Sequence, residues 1–284
     1  MARGPEAFFH PDAQGGQRLY LHHNPPPGTP VRSAVLYVHP WAEEMNKSRR
    51  MAALCSRQLA ASGFAVLQVD LLGCGDSSGD FGDATWQAWI ADLEQAAHWL
   101  QARHPGAPLW LWGLRVGALL AVALAQRLMQ AQPQAAPPNL LLWQPTLQGK
   151  TAWQQFLRLK AAAQLADGGG KAVLDVARAE LAAGRAIDVA GYTVSPALVQ
   201  GLEAAVLSAP PAAIGSPTGQ VVWLEASSQP EPAASPAAAS AVPGWQAAGW
   251  ATRLQAVPGP AFWQTTEIED APALVEHTLQ ALAA

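Results

Sequence analysis

Residues 110–121 read Trp-Leu-Trp-Gly-Leu-Arg-Val-Gly-Ala-Leu-Leu-Ala, with two glycines four positions apart between an apolar run and a stretch of small residues. This pattern constrains the chain more than any other. An apolar strand (109–112) must end in a tight turn, and a helix (118–129) must leave it at once. Gly113 and Gly117 let strand and helix approach closely around a central residue held in an unfavourable backbone conformation. The text is that of a Gly-x-Ser-x-Gly nucleophile elbow, in its strand–turn–helix context, with Arg115 at the serine position.

The rest of the chain alternates in a way that suits this element. Short apolar runs are predicted as strands at 34–39, 64–70, 109–112, 139–143, 220–225 and 252–257, after an N-terminal hairpin at 6–9 and 18–22. Helical periodicity separates them at 48–62, 86–103 and 118–129, and a last helix closes the chain at 272–283. Strands alternating with helices predict a mostly parallel sheet with helices on both faces. Residues 148–215 are rich in Ala and Gly, with a Gly168–Gly170 break, and are predicted as an inserted helical cap. Residues 226–244, rich in Ala, Ser and Pro, are predicted as a low-complexity surface loop. The whole chain, 1–284, is expected to form a single domain.

Composition excludes several function classes. Only 13% of residues are charged, against about 25% in ordinary globular proteins, and the net charge is -4. Nucleic acid is therefore not an expected partner, because phosphate binding needs a basic footprint. No run reaches the ~20 apolar residues of a membrane span, and the first ten residues do not read as a signal peptide. The two cysteines, Cys55 and Cys74, suit a reducing compartment, so a cytoplasmic location is expected. No Cys/His spacing fits a metal and no phosphate-binding glycine loop is present, so no cofactor is expected.

Three ordered motifs carry a family resemblance: Val38-His39-Pro40, Asp70-Leu-Leu-Gly-Cys-Gly-Asp-Ser77 and Gly113–Gly117, each at the end of a predicted strand. Together they resemble the α/β-hydrolase fold over residues 30–280. The run His39–Arg50 (HPWAEEMNKSRR), followed by Asp70–Asp80 (DLLGCGDSSGD), is more closely similar to the type-2 hydrolases associated with exosortase A. That resemblance implies an accessory protein of PEP-CTERM sorting and exopolysaccharide production, with a protein partner in that system. It supplies no substrate. Members of the α/β-hydrolase fold carry Ser, then an acid, then His in chain order. Here these positions fall on Arg115, Glu225 (penultimate strand) and Ala261 in the Gly259-Pro-Ala-Phe-Trp263 turn. A guanidinium stays protonated and is no nucleophile, and alanine accepts no proton. The expectation is a catalytically degenerate site. An active ester or thioester hydrolase with an atypical residue set is the alternative.

His39, Trp41, Glu43, Glu44, Leu114, Arg115 and Val116 are the expected pocket residues. Two readings of Arg115 stay open. Beside the N–H of Val116 it would make an anion site for a carboxylate, phosphate or sulfate. Alternatively it pairs with Glu43, Glu44 or Glu225. His39 either lines the pocket or ends its strand by satisfying a neighbour. The charged run Glu43, Glu44, Lys47, Arg49, Arg50 is either a solvated loop and first helical turn or a polar rim and docking surface. Trp41, Trp153 and Trp263 either line an apolar pocket for an acyl chain or pack under the cap. Gly75-Asp-Ser77-Ser-Gly79 repeats the elbow text without a following helix, so Ser77 is expected to make turn hydrogen bonds only. His277, inside the closing helix, is expected to be structural.

Overall fold

Strands β3 (Ser33–Val38) and β5 (Leu109–Leu114) are buried at every residue, as central strands covered on both faces must be. The computed structural model describes residues 4–13, 16–162, 170–211 and 218–283. In chain order, a hairpin of β1 (Glu6–Pro11) and β2 (Gln17–His23) precedes β3, helix α1 (Ala42–Ala61) and β4 (Phe64–Val69). Then come α2 (Trp86–Arg103), β5, α3 (Val116–Ala131) and β6 (Asn139–Trp143). Helices α4 (Gly149–Ala162) and α5 (Gly170–Ala182), the small hairpin β7 (Ile187–Val189) and β8 (Tyr192–Val194), and α6 (Pro196–Ala204) follow. The chain ends with β9 (Gln220–Ser227), α7 (Pro236–Ala247), β10 (Ala251–Pro258) and α8 (Pro272–Ala283).

Eight strands form one sheet in the order β1-β2-β4-β3-β5-β6-β9-β10. Pairings from β4 to β10 are parallel, and the N-terminal hairpin adds antiparallel to β4. Alternate strand residues serve two cores. Val35, Tyr37, Trp110, Trp112 and Trp143 pack with α1 and α8, while Leu36, Val38, Leu111, Leu142 and Trp223 pack with α2, α3 and α7. This is the mostly parallel, helix-flanked sheet expected, and it places the loops after β3 and β5 side by side. The strand order reverses there, which is where open parallel sheets form crevices.

Three expectations need correction. Helix α1 begins at Ala42, not at 48, so the charged run lies on the helix. Glu43 and Glu44 occupy its first turn, where carboxylates complement the positive end of the helix dipole. The stretch 226–244 is not a loop throughout. Strand β9 extends to Ser227, and α7 starts at Pro236 behind an N-cap in which the Ser235 side chain accepts from Ala238 N. Ser followed by Pro at the first helical position is a helix start, and buried Ala238 and Trp245 anchor α7 against the sheet. The segment predicted as all-helical also holds the β7–β8 hairpin, turned by Ala190-Gly191, both with positive φ. Gly168 and Gly169 of the predicted break, and 212–215 at the predicted cap's end, lie outside the described residues.

Candidate functional site

The turn after β5 keeps the strained geometry that its glycines foretell. Arg115 sits at φ 56°, ψ -120°, a region that costs a residue with a side chain about 1–3 kcal/mol. A Cβ on Gly117 would run into the Val38 carbonyl and lie 2.5 Å from that of His39. One on Gly113 would lie 2.5 Å from Ala118 Cα. Neighbouring strands hold the turn in place: Arg115 N donates to Trp143 O (3.1 Å), and Arg115 O accepts from Ala118 N (3.1 Å) and Thr146 N (3.2 Å). Gln144, at φ 42°, and Ala42, at φ 51°, repeat the left-handed strain at the ends of β6 and at the start of α1. Such outliers cluster at functional sites, since only a well-supported surrounding can hold them.

The Arg115 side chain answers the open question about its partner. Its Nε donates to Glu44 Oε1 at 3.1 Å, its Nη1 lies 3.5 Å from Gln144 O, and its guanidinium carbon lies 5.6 Å from the Trp263 ring centroid. Cation, carboxylate and indole face are thus stacked at the mouth of the elbow. Only 18% of the Arg115 side chain and 14% of that of Glu44 is exposed. Burial raises the Glu44 carboxyl above its ordinary value, and the Arg115 charge and hydrogen bond oppose that rise. Glu43 is also raised by burial, with Lys47 opposing, and its Oε2 is buried without a hydrogen-bond partner among the described residues.

The remaining pocket candidates fare differently. His39 is buried; its Nδ1 donates to Pro40 O (2.6 Å), leaving Nε2 to face Leu71 N at 3.5 Å. Burial holds it below the ordinary imidazole value, with the Pro40 carbonyl and Asp70 opposing, and it ends its strand by satisfying these neighbours. Trp41 packs on Phe156 at 4.6 Å and Trp153 at 6.3 Å, under the segment between β6 and β9. Trp41, Trp153 and Trp263 are each at most 4% exposed, so they form packing contacts and no open apolar wall. Leu114 and Val116 are buried in opposite cores and offer only backbone to the site. Val116 opens α3, so its N–H has no intrahelical acceptor.

Two predicted triad positions are not brought to Arg115. Glu225 lies within β9, and its carboxylate accepts from Ser235 N (2.6 Å) and Ser235 Oγ (3.0 Å), fastening the start of α7. Ala261 packs at the edge of the α1–α8 core; the residue of its turn that reaches the elbow is Trp263. Ser77 donates to Asp70 O (2.5 Å) and accepts from Leu19 N (2.9 Å), so its hydroxyl is fully engaged in the turn. His277 Nδ1 donates to Ala273 O on its own helix.

Sequence reasoning missed Trp263 as an elbow contact and Gln144 as a second strained residue. It also missed how the charged run of α1 is used. Glu44 reaches Arg115, Lys47 reaches Gln264 O (3.4 Å), Arg49 reaches Asp70 (3.1 Å) and Arg50 reaches Asp270 (2.8 Å). These are not local i,i+4 pairs. One helix holds three loops at the carboxyl edge of the sheet, those after β4, β5 and β10. Among the described residues, no group of three or more His, Cys, Asp or Glu is arranged to hold a metal ion.

With this geometry established, comparisons place the chain among known proteins. The family model Hydrolase_4 (serine aminopeptidase, S33) matches residues 29–171, half of the chain. No curated protein matches it. Solved structures with a similar fold include a thermostable carboxyl esterase from Bacillus coagulans in complex with glycerol (14% identity, TM-score 0.63, covering 99% of this chain and 98% of that one). A putative hydrolase from Agrobacterium vitis is similar at 16% identity and TM-score 0.60, covering 99% and 98% of the two chains. A soluble variant of monoglyceride lipase from Saccharomyces cerevisiae, in complex with a substrate analogue, is similar at 15% identity and TM-score 0.60, covering 99% and 95%.

Proposed function

The chain belongs to the Hydrolase_4 (serine aminopeptidase, S33) family with an α/β-hydrolase fold, and we propose that it is a member whose nucleophile site has become an internal ion pair. One observation carries this reading: Arg115 occupies the elbow and is held by Glu44 at 3.1 Å. The guanidinium is protonated throughout the working pH range and cannot attack a carbonyl. The acid candidate is committed to α7, and the histidine loop presents an indole. Acyl transfer needs a nucleophile, a base and an orienting acid in contact, and these three positions offer none of them.

The role that fits is a non-hydrolytic accessory of the exosortase, PEP-CTERM and exopolysaccharide system, acting through a small ligand or a protein partner. The similarity of His39–Arg50 and Asp70–Asp80 to the exosortase-associated type-2 group supports this system. Two unpaired, buried cysteines suit a cytoplasmic setting, and no described helix is long and apolar enough to cross a membrane. The segment 148–215 acts as a cap within a single domain. A carboxylate, phosphate or acyl ligand at the elbow must displace Glu44 from Arg115.

The alternative, an ester or thioester hydrolase with an atypical set, has one observation in its favour. Glu43, next in the chain to the Glu44 that holds Arg115, keeps a buried carboxylate oxygen without a partner among the described residues. Labelling with a fluorophosphonate probe, with a panel of p-nitrophenyl esters and acyl thioesters, separates the two. Neither labelling nor turnover above a heat-denatured control is expected. Stoichiometric labelling, or ester turnover abolished by Glu43→Gln, would establish the alternative.

A further inference from the structure

The second feature lies at the opposite edge of the sheet from Arg115. A groove of about 720 Å³ runs between the start of β1, the loop after β2, the last turns of α1 and the end of α2. Three consecutive prolines, Pro25–Pro27, form one wall, and Ala60 and Ala61 contribute to another. Proline fixes φ and offers no N–H, so that wall is rigid and largely apolar. Arg57 and Arg103 both line the groove, and both are exposed. Neither pairs with a carboxylate among the described residues, whereas seven other arginines do. Glu6 is the one acidic side chain among the described residues that line the groove.

The groove is therefore electropositive in a chain with few charges. His23, at the base, is held down to about 4 by burial and by the Arg57 charge. Beside it His22 is held down to about 4 by burial, by His104 and by Arg103. The His22 hydrogen bonds agree with a neutral ring: Asn24 Nδ2 lies 3.2 Å from His22 Nδ1, and His22 Nε2 lies 3.1 Å from His104 Nε2. An amide donor facing one ring nitrogen and a second imidazole facing the other leave no acceptor for an extra proton. The arginine charges thus find no counter-charge below them and are directed at whatever enters the groove.

We propose that the groove between Pro25–Pro27, Arg57 and Arg103 is a binding site for an oxyanion carried on a compact apolar body. The two guanidinium groups take the anionic head by charge-assisted hydrogen bonds, and the proline wall takes the apolar part. Among the described lining residues Glu6 opposes two arginines, a balance that suits a singly or doubly charged anionic head. Phosphate and carboxylate share this chemistry. The site is independent of the elbow and stands whether or not Arg115 has lost hydrolysis.

The test is calorimetric titration of the whole chain, at low salt and pH 7, with phenyl phosphate, benzoate and benzyl alcohol. Phenyl phosphate or benzoate is expected to bind, and the tighter of the two identifies the head group. Benzyl alcohol, with the same ring and no charge, is expected to bind at least about tenfold more weakly. The double variant Arg57→Gln/Arg103→Gln changes two exposed side chains, and its melting curve checks that it folds. It is expected to lose at least about tenfold in affinity, and Glu6→Gln is expected to gain affinity. Equal binding to wild type and the double variant overturns the proposal, because the anion is then held elsewhere. So does equal binding of benzyl alcohol, or the absence of heat for both anions up to about 10 mM.

Discussion

Arg115 and Glu44 stand 71 positions apart in the chain and meet at 3.1 Å over the face of Trp263. The pair joins the strained turn after β5 to the first turn of α1. Removing one member leaves the other charge largely buried without compensation. Arg115→Ala is therefore expected to cost about 2–3 kcal/mol in urea unfolding. Arg115→Gly loses the same pair but relieves the positive φ, so it should be more stable than the alanine variant by about 1 kcal/mol. An alanine variant as stable as the glycine variant would show that the backbone relaxes when the side chain is removed.

Restoring the missing letters should not restore hydrolysis. In Arg115→Ser/Ala261→His, Glu225 remains bound to Ser235 and cannot orient an imidazole, and Trp263 still covers the elbow. Ester turnover by the double variant is expected to stay at the background rate. Turnover that is first order in enzyme and blocked by a fluorophosphonate would refute this.

Glu225 has a structural task that can be measured separately. It accepts two hydrogen bonds from Ser235, one of them from a backbone N–H at the start of α7. Glu225→Ala should destabilise the protein by about 2–3 kcal/mol through loss of two charge-assisted bonds. Amide exchange should accelerate first in 235–247, before any change near Arg115.

Gly117→Ala tests the close approach of α3 to β3. The added methyl meets two backbone carbonyls that cannot swing away. A loss of at least about 3 kcal/mol is expected, from overpacking against fixed backbone. In a domain of this size that lowers the melting midpoint by about 6–12 °C. A midpoint within a degree or two of wild type would show that strand and helix separate freely.

The buried histidines give stability a pH dependence. His22 and His23 titrate near 4 in the folded chain and near 6.5 when unfolded. Between these values the unfolded chain binds protons that the folded chain refuses. Their contribution is thus complete above pH 6.5 and is lost as pH falls toward 4, by about 2–3 kcal/mol for each. Glu43, Glu44 and Asp92 are raised by burial and act with the opposite sign in acid. A comparison of variants therefore carries the test: urea unfolding of His22→Asn should depend less steeply on pH between 6.5 and 4.5 than wild type does. Equal slopes would show that His22 is protonated in the folded state.

The elbow was legible because its requirement is local. Two glycines at fixed spacing between an apolar run and small residues admit few backbones, and the structure has the one they imply. The mostly parallel, helix-flanked sheet followed from alternation in the same way. Partners were less legible, because they depend on which face of an element a side chain occupies. Glu225 is close to the acid position in the chain, yet its place within β9 directs it to α7. Ser235-Pro236 was hidden in a low-complexity stretch where composition outweighed a two-residue helix start. The run 43–50 could be seen to be charged, but its partners at Asp70, Arg115, Gln264 and Asp270 come from three distant segments that only the folded sheet assembles.

Those four attachments give α1 a mechanical meaning. Loops that carry function in a parallel sheet ordinarily move on their own, each with its own low cost of opening. Here a single helix is tied to three of them, two of its contacts falling on the loop after β10, so displacing one pulls on the other two through the helix axis. The edge around Arg115 behaves as one plate that shifts as a unit or holds still. A partner that grips any of these loops at the surface thereby transmits force to the floor of the elbow.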